Sequence, residues 1–190
     1  MGMAGKSVMM VGCAASAGAK EILDRRLKEF EERYALRYLK RGRELLEKDT
    51  EMSCGFALKE AEVSEDAKEK GAPEIRYDMF GNIAVECGEK GVFGGLWRLA
   101  ESAGCGLCIE QEKIPVLQIA IELCDYDDIS VYEADSTGVK LFLSDNSGEC
   151  RKKLNDMGIT ACEIGYTTDS RDRVVRNGEI MRFLTPDYRH

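Results

Sequence analysis

Gly88-Glu89-Lys90-Gly91-Val92-Phe93-Gly94-Gly95-Leu96-Trp97-Arg98-Leu99-Ala100-Glu101-Ser102 is the stretch on which the reading of the chain turns. Ile83, Ala84 and Val85 run into it as a short strand. Val92, Phe93, Leu96, Trp97 and Ala100 then recur at helical spacing, which predicts an amphipathic helix with Trp97 on its buried face. Gly94 and Gly95 lie inside that helix, where each costs about 1 kcal/mol relative to alanine. Such a cost implies close packing of the helix backbone or a ligand near its first turn. Gly104 is a natural helix stop. The pattern is therefore strand, glycine-bearing loop, helix, and its N-terminal N–H groups form a ready anion site.

Upstream, Ser7–Val11 reads as a buried strand and Gly12–Lys20 as a loop opening a helix. The loop has phosphate-loop composition but not the Walker spacing, and no Lys-Ser/Thr pair follows Gly18. Lys20–Asp49 is helical with a break near Glu31–Tyr34; Ile22, Leu23, Leu27 and Phe30 mark one apolar face, Leu36, Leu39, Leu45 and Leu46 another. Met52–Ala57 reads as a connector and Val63–Lys70 as a polar helix. Residues 73–80 form either a further helix opened by Pro73 or one arm of a hairpin through Gly81-Asn82. Downstream, Leu107–Glu110 is a strand and Pro115 opens a helix through Cys124. Ser136-Thr137-Gly138 precedes the strand Val139–Leu143, Ser147 caps a helix through Met157, and Thr160–Thr167 is a strand. Asn177-Gly178 is a type I′ turn signal joining two further strands. This order of elements fits a layered α/β or α+β fold.

With 190 residues the chain can bury a sizeable core. A formal net charge of −8 argues against nucleic acid as a partner. The charge is uneven: residues 1–50 hold 11 Lys/Arg against 8 Asp/Glu, a net of +3, so the remainder carries −11. No stretch reaches the roughly 20 apolar residues of a membrane span. The apolar run Ser7–Ala19 flows into a charged helix rather than a cleavage site, so it reads as cytoplasmic strand and loop, not as a targeting signal. Most of the eight cysteines lie in apolar runs, where a thiol behaves as a small hydrophobe. Cys105-Gly106-Leu107-Cys108 is a lone C-x-x-C, read as structural, with a reactive thiol pair as the alternative. The single histidine, His190, is terminal, and no metal site is read from the sequence.

Glu89-Lys90-Gly91-Val92-Phe93-Gly94-Gly95-Leu96-Trp97 resembles a motif of the aminoimidazole ribonucleotide (AIR) synthetase-related family. The likeness is greatest to the hydrogenase maturation factors, whose run is approximately His-Asp-x-Thr-Glu-Gly-Gly-Val-x-Gly-Ala-Leu-Trp-Glu. Lys113-Ile114-Pro115-Val116 and Ser136-Thr137-Gly138 resemble two further family runs. Gly12–Lys20 resembles the family's Gly-x-Glu-Gly-Thr loop, with Ala17 and Ala19 in place of Glu and Thr. The resemblance covers nearly the whole chain, residues 1–190, and implies one α+β domain like the C-terminal domain of AIR synthetase, with a mixed β-sheet and packed helices. Family enzymes activate an oxygen by phosphoryl transfer from ATP, and they have two domains.

The departures shape what the resemblance implies. Aligned backwards from Gly91, the family's His falls on Val85, its Asp on Glu86, its Thr on Gly88 and the first Gly of its pair on Lys90. Glu86 and Glu89 remain as candidate catalytic carboxylates, or as solvated loop residues. Gly88, Lys90, Gly91, Gly94, Ser136, Thr137 and Gly138 are the candidate anion-binding set; Gly12, Gly18 and Lys20 form a secondary loop. The family's nucleotide contacts lie mostly in the first domain, and the terminal cysteine of its maturation factors has no counterpart here. The expectation is therefore an accessory or small-anion-binding module that needs no cofactor and does no catalysis alone. The alternative is one subunit of a split ATP-dependent enzyme, with phosphate or ATP/Mg held only together with a partner protein supplying an ATP-binding N-terminal-type domain. A homodimer is the weaker reading.

Overall fold

The computed structural model describes residues 4–55 and 83–186. The expectations for 63–70 and 73–82 lie outside the described residues. Seven strands form one mixed sheet: β1 (Ser7–Val11), β2 (Ala84–Gly88), β3 (Gly106–Glu110), β4 (Ser136–Ser144), β5 (Ala161–Thr168), β6 (Arg173–Asn177) and β7 (Ile180–Phe183). Their order is β2-β4-β1-β5-β3-β6-β7. Every neighbouring pair is antiparallel except β3 with β6. Six α-helices accompany them among the described residues: α1 (Ser16–Arg25), α2 (Leu27–Arg33), α3 (Leu36–Gly55), α4 (Gly91–Ala103), α5 (Gln118–Tyr126) and α6 (Ser147–Asp156). The fold is α+β.

The central strand shows why Ser7–Val11 reads as an apolar run without alternation. Val8 and Met10 face the cluster that includes Val92, Leu96 and Leu99 of α4. Met9 and Val11 face the opposite cluster, with Cys150 and Leu154 of α6. Both faces are covered, so every position is apolar. A third cluster joins α1, α2, α3 and α5 through Leu23, Phe30, Leu46 and Leu123.

The glycine-bearing stretch forms the strand, turn and helix its sequence predicts, and Gly104 ends α4 in the left-handed conformation. Trp97 is only half-buried, against the expectation of a buried position. It lies at the rim of the helix–sheet contact, with the Arg173 guanidinium 3.6 Å from its ring centroid. The chain breaks near Arg26 and again at Tyr34, which is extended. Instead of ending in a connector at Met52, α3 continues to Gly55, because Met52 packs under the sheet. Its four leucines divide: Leu39 and Leu46 are buried, Leu36 and Leu45 exposed.

Pro115 does not open α5. Its carbonyl accepts the Ala14 N–H at 2.8 Å and Val116 bridges to Ala14, so the chain stays extended until Gln118. At α6, Asn146 rather than Ser147 is the cap, accepting from the Glu149 N–H. The β6–β7 hairpin forms, but its two loop residues are Gly178 and Glu179 rather than Asn177-Gly178: Asn177 pairs with Ile180, and Gly178 alone has a positive φ, so the turn is not of type I′. No described helix is long and apolar enough to cross a membrane.

Candidate functional site

The two loops singled out by their glycines converge on one segment, Tyr132–Lys140. From one side comes the start of α4. Gly91 has φ +62, and a Cβ there would sit 2.5 Å from the Tyr132 carbonyl oxygen, so only glycine fits. The Phe93 N–H donates to that same carbonyl at 3.1 Å, and the Phe93 and Tyr132 rings stack at 5.2 Å. From the other side comes the start of α1. Gly18 N–H donates to the Asp135 carbonyl at 2.9 Å, and Ala15 N–H to Ser136 Oγ at 2.9 Å. The Ser136 hydroxyl in turn donates to the Ala134 carbonyl at 3.0 Å. Helix N-termini carry free donors and a partial positive charge. Here Phe93, Gly18 and Ala15 direct theirs at oxygens of the protein itself.

The Ser136-Thr137-Gly138 run is therefore more than a bare turn. Ser136 is fully buried as a tie. Thr137 is exposed, and its N–H and hydroxyl both reach Asp135 Oδ1, at 2.8 and 2.7 Å. Gly138 N–H donates to Glu86 Oε1 at 3.0 Å. Glu86 also pairs across the strands with Lys140 and, through its carbonyl, accepts from Arg98 Nη2 at 2.6 Å. Gly88 stands opposite Ser136. Glu89 and Lys90 are exposed in the turn that follows, with Lys90 at the helix cap. The missing side chain of Gly94 makes room for Lys90, whose Cβ would lie 2.6 Å from a Cβ there.

Lys140 is a buried lysine in the middle of the sheet. Its Nζ donates to the carbonyls of Ser53 and Gly138. Burial holds its ammonium below the ordinary lysine range, with Glu86 pulling the other way.

In the secondary loop the group at the helix start is an anion supplied by the chain. Asp49 Oδ2, from α3, accepts the Cys13 N–H at 3.0 Å and the Ser16 hydroxyl at 2.8 Å. Burial, followed by the Asp49 charge, pushes the Cys13 thiol up, so it stays protonated. Gly12 has φ +88, and a Cβ would meet Ser53 Oγ at 2.3 Å. Lys20 is turned to Asp24, with which it pairs at 2.8 Å. A cavity of about 190 Å³ beside the loop is lined by Cys13, Leu45, Lys48, Asp49 and Met52 among others. Cys105 and Cys108 are buried free thiols. Among the described residues no group of three or more His, Cys, Asp or Glu side chains is placed to hold a metal ion.

No protein-family model matches the sequence, and no curated protein matches it. Solved structures do match. E. coli HypE, a hydrogenase maturation protein, superposes with a TM-score of 0.64 at 14% identity, over 97% of this chain and 51% of that one. A hydrogenase maturation protein HypE solved in complex with ATP gives 0.61 at 12% identity, over 97% and 51%. Thiamine-monophosphate kinase from Stenotrophomonas maltophilia gives 0.52 at 14%, over 93% and 52%. The fold is that of the AIR synthetase-related proteins. The chain spans about half the length of the HypE chains it matches, and at these identities the likeness is one of fold.

Three residues central to this geometry escaped the reading of the sequence. Asp49 continues the buried stripe Leu39-Gly42-Leu46 at helical spacing, and a carboxylate in that register was a readable signal. Lys140 is the only charge inside Val139–Leu143, a signal of the same kind. Arg98 lies on the polar side of α4, where nothing in the sequence marks its hold on the Glu86 and Cys87 carbonyls.

Proposed function

We propose that this chain is an accessory half-module that acts with a nucleotide-binding partner domain and does not transfer a phosphoryl group alone. The observation that carries this reading is the internal use of both loops. At α1 the loop's donors face Asp49, Ser136 and Asp135, and at α4 Phe93 faces Tyr132. Of the two candidate carboxylates, Glu86 is engaged by the Gly138 N–H, and Glu89 stands apart in the exposed turn. Phosphoryl transfer needs nucleotide, metal and acceptor held in line. Glu86 in β2, Glu89 in the turn and Lys90 do not supply that arrangement. These loops serve the architecture of the module, and any small-anion affinity resides at Lys90 rather than in a built cradle.

The decisive assay is steady-state turnover of Mg-ATP by the purified chain, beside a Glu86→Ala/Glu89→Ala variant. The expected result is no turnover from either. Saturable turnover that the double substitution abolishes would overturn the reading. Titration with inorganic phosphate before and after Lys90→Ala tests the residual affinity. One observation favours a second reading, a subunit of a split ATP-dependent enzyme: the chain spans half of a protein solved with ATP. Turnover that appears only on adding a separate ATP-binding domain would support it.

A further inference from the structure

β6 and β7 lie four and five places from β4 in the sheet, and with α4 they border a cleft of about 360 Å³. That volume is in the range of small-molecule sites. Arg173 and Trp97 line it, with the guanidinium carbon 3.6 Å from the ring centroid. A ring face attracts the cation but offers no lone pair to its N–H donors. The Glu101 carboxylate is 4.0 Å from Arg173 Nη1, beyond hydrogen-bond reach. Nε is enclosed, and among the described residues it is the one buried side-chain nitrogen or oxygen without a partner. The arginines that do find carboxylates are more exposed: Arg25, Arg26 and Arg43 stand at 55, 32 and 35%, Arg173 at 17%. The fold therefore keeps, in a half-closed place, a cation that it does not itself satisfy. The frame around that cation is fixed. The Leu107 N–H donates to the Asp172 carbonyl at 2.9 Å and the Leu184 N–H to the Arg173 carbonyl at 2.8 Å. A Cβ on Gly106 would stand 2.5 Å from the Asp172 carbonyl oxygen, so the Ser170–Asp172 loop lies directly on β3.

We propose that this cleft binds a small organic carboxylate with an apolar body. A guanidinium presents its donors as a fork that matches a carboxylate, and contact with Trp97 holds that fork in place. The Nη nitrogens of Arg173 are not enclosed, so a ligand oxygen can meet them as the structure stands. Engaging Nε as well asks the guanidinium to turn over the Trp97 face. Arg171 lines the same cleft, is exposed, and makes no ion pair among the described residues, so it adds a second cation. Phe183 and Leu184 supply apolar surface for the body of the ligand. Glu101 and Asp172 line the cleft too, two carboxylates against two arginines. That balance disfavours a dianion such as phosphate, which would meet both of them, and admits a single carboxylate. The arrangement also gives a reason for the half-buried place of the chain's one tryptophan. The proposal is independent of the half-module reading, because no residue of the cleft belongs to either glycine loop.

Trp97 is the only tryptophan, so its emission reports on this cleft. The full chain is titrated with cyclohexanecarboxylate, which does not absorb where tryptophan is excited, and the emission is followed. The expected result is a saturable change. Acetate, inorganic phosphate and the neutral isostere cyclohexylmethanol should each bind roughly tenfold more weakly or worse. Arg173→Gln should abolish the saturable change. Arg173→Lys should weaken binding by roughly tenfold, because an ammonium cannot fork. Both variants keep Trp97 as the reporter. Arg171→Gln, at an exposed position, should weaken binding by several fold, and it carries the test if circular dichroism shows that Arg173→Gln does not fold. No saturable change in the parent chain would overturn the proposal, as would binding untouched by the arginine substitutions. Equal binding of cyclohexylmethanol would reduce the cleft to an apolar surface, and tighter binding of phosphate would replace the carboxylate with a phosphoryl group; either overturns it. The outcomes separate from those of the ATP assay: absent binding here leaves the half-module reading intact, and ATP turnover with intact binding removes that reading alone.

Discussion

Asp49→Ala is the most informative single change, because it removes the carboxylate that occupies the start of α1. Two donors lose their acceptor: the Cys13 N–H at 3.0 Å and the Ser16 hydroxyl at 2.8 Å. A buried donor left unsatisfied costs about 1–3 kcal/mol. The Ser16 hydroxyl has a second acceptor, the Cys13 carbonyl at 3.3 Å, so its share is small. Asp49 itself is half-buried, and water reaches part of the gap. The expected loss is therefore about 2 kcal/mol, read from the urea midpoint at constant slope. Asp49→Asn keeps an acceptor oxygen and should lose about 1 kcal/mol. The same deletion should create what the native loop lacks. With its own anion gone, the helix start should take an external one, and Lys48 lines the adjoining cavity. Sulfate at about ten times its Kd should then restore about 1.4 kcal/mol to Asp49→Ala by mass action. The control is sodium chloride at equal ionic strength, with the parent chain measured in both salts. A loss below about 0.5 kcal/mol would refute the view that Asp49 holds this loop, that being the range of ordinary surface substitutions. A sulfate effect equal in parent and variant would refute the view that it stands in for a ligand.

Gly91→Ala should lose about 2–4 kcal/mol, combining left-handed strain with the clash against the Tyr132 carbonyl. Gly178→Ala, at φ +57 with nothing within 4 Å, should lose only the strain, about 1–2 kcal/mol; equal losses in the two would refute the contact. Lys140 has a folded-state pKa held low by burial, so between that value and the ordinary lysine value of about 10.4 the unfolded chain binds the extra proton. Stability relative to Lys140→Met should accordingly rise as pH climbs towards 10.4, and a flat or falling difference in urea titrations at several pH values would count against a buried ammonium. Burial pushes Cys87 up to about 12 and Cys124 to about 11, whereas Cys54 is exposed. Cys54 should react first with a thiol reagent at pH 8, and all eight thiols should titrate in denaturant; native Cys87 reacting as fast as Cys54 would contradict its burial.

What the sequence made legible was periodicity and punctuation. Ser7–Val11 declared a strand covered on both faces by its unbroken apolar run, and Asn177-Gly178 declared a hairpin. Gly104 declared the end of α4. Such signals are local, since each depends on residues within a turn or two. Trp97 was misjudged because spacing gives the side of a helix but not how far the sheet extends beneath it. Leu36 and Leu45 were misjudged for a related reason. A run with leucines on two stripes has two candidate inner faces, and the choice fell to Gly42. Without a side chain, it lets α3 approach α5, and a Cβ there would meet Ile119 at 2.7 Å. One small residue thus decided which leucines are core.

The candidate site was legible as a set of positions and illegible as a set of roles. At Gly12, Gly18, Gly91 and Gly138 the backbone comes close to something, whereas nothing lies within 4 Å of a Cβ at Gly88. From a lone sequence that something reads as a phosphate, because a helix start preceded by glycine offers N–H groups whatever lies opposite. The acceptor is what distinguishes a binding loop from a structural one, and here it comes from far along the chain. Asp49 lies 36 residues from Cys13, and Ser136 lies 121 residues from Ala15. Glu86 and Gly138 are 52 apart. No local pattern encodes those distances. The same backbone geometry can therefore hold a nucleotide in one protein and a carboxylate or a carbonyl of the chain itself in another. The change between them needs no new fold, only an acidic or carbonyl oxygen arriving where a ligand would sit. In this chain Asp49 and the Tyr132–Ser136 segment provide those oxygens, which is why its glycine loops are better understood as joints between helices and sheet than as cradles.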